Sequence, residues 1–363
     1  MADAPAAEQR LELASNRHAK FLQRTLHVLP SALSSFDTQR ITISYFAISG
    51  LDVLDRLDLL ESRRQEIVEW LYLSLICPGE GEEVSQEILQ LCGFRGSPAL
   101  KLSPFNLPSH THDHGHITMT YTALASLIIL GDDLSRIDRG ALLAGVRALQ
   151  LPDGSFRAAL EGGENDMRFL YCAAAICRIL GCWDGMDRAA ALEFILASIS
   201  YEGGIGQGPG QESHGGTTYC GVAALSMMGL LEELGEGRRE ALVRWCVARQ
   251  GGEESSGQCA GFQGRPNKPE DTCYSFWVGA TLALLGRLGH ICPEASRQFV
   301  LGTQDPVTGG LAKWPDTQCD PLHTYLGLSG LAIAGEEGLS PVEPALNITV
   351  RAATRLAQLQ EGW

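Results

Sequence analysis

A glycine-containing turn recurs five times along this 363-residue chain, each time followed by a polar stretch and a helix-forming run rich in alanine and leucine. Successive turns lie 62, 49, 57 and 49 residues apart, measured at Phe94, Phe156, Ile205, Phe262 and Leu311. A repeat of roughly fifty residues accommodates two helices with their loops. The chain is therefore predicted to consist of stacked helix pairs.

Apolar residues inside each unit follow helical spacing. In the run from residue 117 to 128 they recur every three or four positions, and no strand-like alternation of comparable length occurs. Small-residue runs such as AAAICRIL and GVAALSMMG suit close packing inside a closed ring, which we favour over an open solenoid. The predicted fold is all-α, an α/α barrel (toroid) of helix pairs whose glycine-rich turns surround a central cavity at one end.

Composition indicates a soluble protein with one sizeable domain. Hydrophobic residues make up 45% of the chain, and no apolar run is long enough to span a membrane. Residues 1–20 are polar and lack the features of a secretory signal, so we predict a mobile N-terminus, a single barrel domain over residues 21–363 and a cytoplasmic location. The net charge of -15 argues against nucleic acid or an anionic membrane as the main partner.

Asp271, Cys273 and His323 are the strongest candidates for metal ligands. Asp271 is predicted to be a helix cap or first-turn residue, and His323 occupies the equivalent place in the next repeat, so ring packing would bring the two helix starts together. Two alternatives stay open. The three residues could be an ordinary cap, a buried thiol and a core histidine, or Cys319 could complete a closed structural site.

Two other patterns are weaker. The segment HTHDHGH places four histidines at residues 110, 112, 114 and 116, but no cysteine or carboxylate pattern completes a metal geometry, so we interpret it as a polar loop. Asp132 and Asp133 lack the third aspartate of a magnesium-binding cluster, and a turn or helix cap is the predicted role.

Cationic residues cluster near the predicted metal ligands. His214, Arg265, Lys268 and Lys313 all lie in turn-to-helix segments that the ring model gathers around one mouth, and with the Tyr274 hydroxyl they could hold a diphosphate. Taken singly, such residues are usually just solvated. Several aromatic residues could line an apolar funnel, although core packing is the commoner role of each: Tyr219, Tyr274, Phe276, Trp277 and Tyr325.

With these motifs assembled, the chain from about Arg24 to Asn347 resembles the β subunits of protein prenyltransferases. The resemblance is carried by GRPNKPEDTCYSFWVGATL, ENDMRF, ESHGGTTYCG, TQDPVTGGLAKWPD and DPLHTY. Among the subtypes it is most similar to type I protein geranylgeranyltransferase. Thr42 stands where farnesyl enzymes carry tryptophan, Lys313 stands where other subtypes carry an aspartate associated with magnesium, and the segment PALNIT is similar to the type I C-terminal region. Compared with the family, the connection at about 250–262 is long, which predicts a mobile surface loop.

The resemblance implies a role for each matching residue. Asp271, Cys273 and His323 would hold one catalytic zinc ion, and Lys313 would replace magnesium, which is not expected to be required. His214, Arg265, Lys268 and Tyr274 would contact the diphosphate. Thr42 and Trp277 would line the isoprenoid pocket, and Arg168 would lie where lipid and peptide meet.

The resemblance also implies an obligate α subunit and a reaction. The chain is predicted to transfer a geranylgeranyl group from geranylgeranyl diphosphate to the cysteine of C-terminal Cys-aliphatic-aliphatic-Leu motifs, as found on Rho-, Rac- and Rap-type small GTPases. The alternatives are a farnesyltransferase-like β subunit, a terpene cyclase-like barrel, suggested by the turn QLPDGS, and a non-enzymatic helical scaffold.

Overall fold

The computed structural model describes residues 11–29, 31–78, 85–101, 114–251 and 261–363. The long loop predicted at about 250–262 lies mostly outside these ranges, as do His110 and His112. The helices of the described residues are α1 Ser15–His27, α2 Arg40–Val53, α3 Arg64–Tyr72, α4 Gln86–Leu89, α5 Ile117–Leu130, α6 Arg139–Arg147, α7 Met167–Leu180, α8 Arg188–Ala197, α9 Gly215–Met228, α10 Gly235–Val247, α11 Tyr274–Leu284, α12 Pro293–Gly302, α13 Pro321–Ile333 and α14 Val350–Glu361.

Short antiparallel hairpins join some of the helices. Each is a pair of two-residue strands, too short to show as an alternating sequence pattern. The pairs are β1 Leu75–Ile76 with β2 Gly93–Phe94, β3 Phe156–Arg157 with β4 Asn165–Asp166, β5 Leu311–Ala312 with β6 Cys319–Asp320, and β7 Val342–Glu343 with β8 Ile348–Thr349.

Six helices form a closed inner ring. In the order α2, α5, α7, α9, α11 and α13 each packs on the next, and α13 packs back on α2. Helices α6, α8, α10 and α12 each precede an inner helix in sequence and pack on its outer side. The predicted all-α toroid of helix pairs is therefore confirmed.

Two of the repeated glycines bring their turns close to an outer helix. Gly154 has a φ of 87°, and a Cβ built on it would lie 2.1 Å from the carbonyl oxygen of Ala190 in α8. Gly203 has a φ of 99°, and its Cβ would lie 2.7 Å from the carbonyl oxygen of Ala241 in α10. Only glycine combines this left-handed backbone with so close an approach. These two glycines therefore fix the distance between their turns and the outer helices.

Helix α1 packs where the ring closes, against α2 and α13. It begins at Ser15, so the predicted domain boundary at residue 21 falls inside it. His18 is fully buried, and its Nδ1 accepts a hydrogen bond from the Gly310 backbone N–H at 2.9 Å. Burial lowers the pKa of His18, so the ring is neutral and its Nε2–H donates to Gln304 Oε1 at 2.9 Å. A polar residue of the N-terminal segment thus links the two ends of the ring.

Helix α14 covers the C-terminal ends of two inner helices, α5 and α7. Arg351 donates to the Ile129 carbonyl at 3.0 Å, Arg355 donates to the Gly131 carbonyl, and Gln360 donates to the Ile179 carbonyl at 3.0 Å. These contacts satisfy carbonyl groups that a helix end leaves without partners. Within the described residues, no helix combines the length and apolar character required to cross a membrane.

Arg351 also pairs with a buried carboxylate, and removing it should destabilise the barrel. Its Nη2 lies 2.8 Å from Asp52 Oδ1, and the Asp52 side chain is almost fully buried. The variant Arg351→Ala is expected to lower the free energy of unfolding by about 1–3 kcal/mol, because Asp52 loses a charged partner. Denaturant titration measures this change. The exposed pair of Arg64 with Glu61 provides the control, since Arg64→Ala should leave the transition unchanged. Equal effects of the two substitutions would contradict this account.

Candidate active site

Asp271 and Cys273 lie in a turn just before α11. The Asp271 N–H donates to the Phe262 carbonyl at 3.0 Å, and its Oδ1 accepts from the Cys273 N–H at 3.0 Å. Between them, the Thr272 hydroxyl donates to the Ala312 carbonyl of the next repeat at 2.7 Å. The regular helix begins only at Tyr274, so Asp271 lies slightly outside the predicted first turn. The turn is fixed from both sides and directs both side chains to one place.

His323 is the third residue of α13, and Asp320 holds it in position. Asp320 caps the helix by accepting from the His323 backbone N–H at 2.9 Å, and its second oxygen lies 2.6 Å from His323 Nδ1. Because Nδ1 is bonded to this carboxylate, Nε2 is the ring nitrogen that faces Asp271 Oδ1, at 3.2 Å. A carboxylate on the far ring nitrogen is the usual support of a metal-binding histidine.

The three side chains form a site suited to a divalent metal. One ligand atom from each of Asp271, Cys273 and His323 lies within 4.8 Å of the others. Burial opposes a charge on His323, but its hydrogen bonds to Asp271 and Asp320 outweigh this and raise its pKa to about 9. Burial and the neighbouring Asp271 raise the pKa of the Cys273 thiol. The site therefore favours a positively charged occupant. Its donors are one oxygen, one sulfur and one nitrogen, and a set of three protein ligands with a fourth position open is typical of catalytic zinc.

Cys319 does not join this group. Its thiol lies 4.0 Å from the Thr303 carbonyl, and it is not among the clustered ligand atoms in the part of the chain that the structure describes. The geometry therefore gives no support to a closed four-ligand site.

Beside the three ligands lies a cavity of about 680 Å³ enclosed by the inner ring. Its wall comes from α2, α5, α7, α9 and α11 and is mostly apolar. Five of the residues singled out from the sequence line it, namely Thr42, Arg168, His214, Arg265 and Trp277. Trp277 lies one helical turn beyond Cys273, to whose carbonyl its N–H donates at 3.2 Å. The cavity therefore approaches the predicted metal site along α11.

The remaining predicted residues lie at different distances from this cavity. Lys313 Nζ is 3.7 Å from Asp271 Oδ2, so it borders the three ligands. Lys268 is exposed and does not line the cavity. Of the predicted funnel aromatics, Tyr219, Phe276 and Tyr325 are fully buried and do not line it.

His214 and Tyr274 form a polar pair at the cavity edge. His214 caps α9, its Nδ1 accepting from the Gly216 N–H at 3.1 Å, and its Nε2 lies 2.9 Å from the Tyr274 hydroxyl. Burial and the charge of Arg265 lower the pKa of His214, so the ring is neutral and its hydrogen is on Nε2. This hydrogen points to the Tyr274 oxygen. The Tyr274 hydroxyl hydrogen is then left to donate to another acceptor, such as an anionic ligand.

Carboxylates that were not identified from the sequence hold the two arginines of the cavity. Arg265 Nη1 lies 2.6 Å from Glu212 Oε2, and Arg168 Nη2 lies 2.6 Å from Asp166 Oδ2 and 2.5 Å from Glu164 Oε2. The hydrogen bond to Asp166 raises the pKa of Arg168 above its usual range. Both cations are therefore oriented before any ligand binds.

The two rejected sequence patterns have local structural roles. His116 caps α5 by accepting from the Thr118 N–H at 3.2 Å, and burial lowers its pKa to about 4, so it stays neutral. Asp132 accepts from the Leu134 N–H at 2.8 Å, and Asp133 accepts from the Ser135 N–H at 2.9 Å. The predicted turn role of the two aspartates is confirmed.

Comparison with known proteins places this geometry in a family. The model of the prenyltransferase alpha-alpha toroid domain matches residues 13–348. The chain belongs to the prenyltransferase alpha-alpha toroid family. The predicted fold is thereby confirmed.

Relatives of this prenyltransferase agree with the predicted subtype. The chain is 38% identical to the geranylgeranyl transferase type-1 subunit beta of Arabidopsis thaliana, covering 93% of this chain and 89% of the relative. It is 37% identical to the protein of the same description from Dictyostelium discoideum, covering 92% and 95%. The fold matches that of Candida albicans protein geranylgeranyltransferase-I complexed with GGPP, with a TM-score of 0.83 at 24% identity, covering 96% and 99%.

Asp320 was missed from the sequence although a local signal was present. In Asp-Pro-Leu-His, an aspartate precedes a proline at the first helical position, which is typical of a helix cap. That signal predicts the cap but not the second bond to His323 Nδ1, because the rotamer of a histidine is set by packing. Asp166 gives the same kind of cap signal for α7, whereas its pairing with Arg168 and that of Glu212 with Arg265 have no local sequence signal.

Removing the Asp320 side chain should weaken metal binding by this prenyltransferase. The variant Asp320→Ala is expected to lower zinc affinity about 10- to 100-fold, because His323 loses the partner that orients its ring. Competition with a chromophoric chelator measures the affinity of the metal-free protein directly. The control is Asp316→Asn, which changes an exposed residue in the same loop and keeps a side chain that tolerates its φ of 61°. An unchanged affinity in Asp320→Ala would show that the contact to Nδ1 does not matter for binding.

Proposed function

We propose that this prenyltransferase is the β subunit of a type I protein geranylgeranyltransferase. It would transfer the 20-carbon group of geranylgeranyl diphosphate to the cysteine thiol of proteins ending in Cys-aliphatic-aliphatic-Leu. One observation carries the proposal: Asp271, Cys273 and His323 meet beside an apolar cavity bordered by cationic groups. The names of the relatives from Arabidopsis thaliana and Dictyostelium discoideum support the subtype.

The cavity suits an isoprenoid chain because its wall is largely hydrophobic. Phe46, Phe169 and Trp277 contribute aromatic surface. The small side chain of Thr42, whose hydroxyl lies 3.1 Å from the Met119 sulfur, leaves space beside it. Burial of apolar surface stabilises such a complex by about 25 cal/mol per Å². The isoprenoid would therefore lie among the inner helices with its diphosphate at the mouth.

The diphosphate would contact the cationic edge of the cavity. Arg265 lines the cavity together with His214, the Tyr274 hydroxyl lies 2.9 Å from His214 Nε2, and Lys313 lies beside Asp271. As the bond between the first isoprenoid carbon and oxygen breaks, its electron pair moves to the diphosphate. Groups that are already positioned stabilise this growing charge more than the charge of the ground state.

The acceptor would be a thiol from another protein. Zinc held by Asp271, Cys273 and His323 would lower the pKa of a thiol bound at the open position, so that the thiolate is present at neutral pH. The thiolate sulfur forms the new bond to the first isoprenoid carbon, and the thiol proton passes to solvent. Asp320 keeps the His323 ring oriented throughout.

The protein is further proposed to act with partners that the chain itself does not contain. An α subunit would complete the enzyme, and Rho-, Rac- and Rap-type GTPases in the cytoplasm would be substrates. Since the Lys313 ammonium supplies positive charge beside the ligands, no magnesium requirement is proposed.

Thr42 offers a test of donor length. In the complex with an α subunit, Thr42→Trp is expected to lower kcat/KM for the 20-carbon donor at least about tenfold while retaining transfer from the 15-carbon donor, because the larger side chain fills the cavity. A Leu-ending peptide is the acceptor in both assays. Thr42→Ser is the control and should keep the 20-carbon preference. If the unmodified enzyme prefers the 15-carbon donor, it is a farnesyltransferase-like protein instead.

Lys313 offers a test of metal dependence. Lys313→Asp is expected to lower the transfer rate about 100-fold without magnesium, because a cation near the leaving group is lost, and millimolar magnesium should restore much of it. Lys313→Ala should lose a similar factor without recovering, since it has no carboxylate to bind the ion. Single-turnover transfer rates measured with and without magnesium separate the two variants. A strong magnesium requirement in the unmodified enzyme would oppose the assigned role of Lys313.

A further inference from the structure

The hairpin of β7 and β8 places its turn inside the ring of inner helices. The turn comprises residues 344–347, and the carboxylate of Glu343 satisfies its backbone by accepting from the N–H groups of Ala345 at 3.2 Å and Leu346 at 2.6 Å. The Asn347 N–H donates to the Glu343 carbonyl at 3.1 Å. The N–H groups of the turn are therefore bonded within the hairpin itself.

The carbonyl groups of this turn are bonded by tyrosines of the inner helices. Four phenol hydroxyls donate to them: Tyr45 to Asn347 O at 2.6 Å, Tyr325 to Asn347 O at 2.5 Å, Tyr121 to Leu346 O at 2.8 Å, and Tyr219 to Pro344 O at 2.9 Å. A fifth hydroxyl, on Tyr171, lies 3.2 Å from the hydroxyls of both Tyr121 and Tyr219. Its hydrogen bonds are to these two hydroxyls and not to the turn. Inner helices from most of the ring thus converge on one turn.

These tyrosines occupy one level of the barrel. Tyr121, Tyr171, Tyr219 and Tyr325 each stand four residues after the first residue of their helix, and Tyr45 stands five after. Burial raises the pKa of each phenol well above its usual value, so all five remain neutral hydrogen-bond donors. A buried carbonyl without a donor is costly, and this arrangement fixes the turn in place.

The same turn reaches the cavity. Asn347 lines it, together with Tyr45, Tyr121 and Tyr171, and all the other lining residues come from the inner helices or the turns that precede them. The predicted metal site and the cationic groups lie at the helix starts, about one helical turn before the tyrosine level. The turn therefore lies opposite the mouth, where the far end of a bound chain would arrive.

We propose that the turn over residues 344–347 forms the end wall of the cavity, and that Asn347 determines the longest isoprenoid chain that fits. This inference rests on the proposed function, because it takes an isoprenoid diphosphate as the ligand. It assigns a specificity role to a segment that belongs to none of the six ring helices. The four tyrosines that donate to turn carbonyls act through the turn, since they hold its backbone.

Asn347 can be replaced by glycine because its backbone conformation is one that glycine adopts readily. Its φ is 53°, a left-handed conformation that glycine adopts without strain. The Asn347 side-chain oxygen accepts from the Tyr325 hydroxyl at 2.9 Å, but this hydroxyl retains the Asn347 carbonyl as an acceptor when the side chain is removed. The variant Asn347→Gly should therefore fold and lengthen the cavity.

The test compares 20-carbon and 25-carbon donors on the complex of this chain with an α subunit. In Asn347→Gly, the ratio of kcat/KM for the 25-carbon donor to that for the 20-carbon donor is expected to rise about tenfold. Equilibrium dialysis with the same two diphosphates measures binding without any transfer and should show the same shift in the ratio of affinities. An unchanged ratio in a variant that keeps the unfolding temperature of the parent overturns the inference.

A matched pair of tyrosine variants tests whether the turn must be held. Tyr121→Phe removes the hydroxyl that donates to the Leu346 carbonyl. Tyr171→Phe also removes a buried phenol hydroxyl, but the turn carbonyls keep their donors. The 25-to-20-carbon ratio should rise in Tyr121→Phe and stay at the parent value in Tyr171→Phe. Equal changes in both variants would show that the hydroxyls affect the cavity generally and not through the turn.

The same measurements separate the two proposals. If the parent complex binds polyprenyl diphosphates but transfers none to a Leu-ending peptide, the proposed function fails and the binding ratios still decide the role of Asn347. If transfer occurs and Asn347→Gly leaves both ratios unchanged, only the end-wall inference fails. If no polyprenyl diphosphate binds, both are wrong.

Discussion

At two of the repeats, a close contact between a turn glycine and the carbonyl of an outer helix sets the level at which the following inner helix begins. At Gly154 and Gly203 the backbone lies so near to the outer helix that a side chain would not fit. Because the contact recurs, successive inner helices start at matching heights around the ring. Asp271 and His323, which belong to neighbouring repeats, can therefore approach the same point although 52 residues separate them.

This regularity explains what the sequence could predict. The register of the repeats located the helix pairs, the small-residue runs favoured the closed ring, and the equivalent positions of Asp271 and His323 indicated that these two residues would meet. The role of helix α1 was not predicted, because the hydrogen-bond partners of the buried His18 lie 286 and 292 residues away along the chain. Polarity in a sequence indicates exposure only when no distant hydrogen-bond partner exists.

Side-chain direction was the other limit of the sequence. The sequence left Tyr219 and Tyr325 as either funnel or core residues, and the structure buries both without placing them in the cavity wall. Their hydroxyls bond to a turn near the C-terminal end of the chain, and no local pattern predicts such a pairing. Asp320 is a similar case, since its capping role could be predicted but its bond to His323 depends on the rotamers of both residues.

Closure of the ring also has a consequence for how the chain folds. The contact of α13 with α2 joins residues that lie about 280 positions apart, and α14 bonds to the ends of helices made much earlier. Until α13 has been synthesised, the earlier helices form at most an open arc with apolar edges at both ends. Such long-range closure slows folding and exposes surfaces that aggregate. We therefore expect the nascent protein to depend on chaperones until its last helices leave the ribosome.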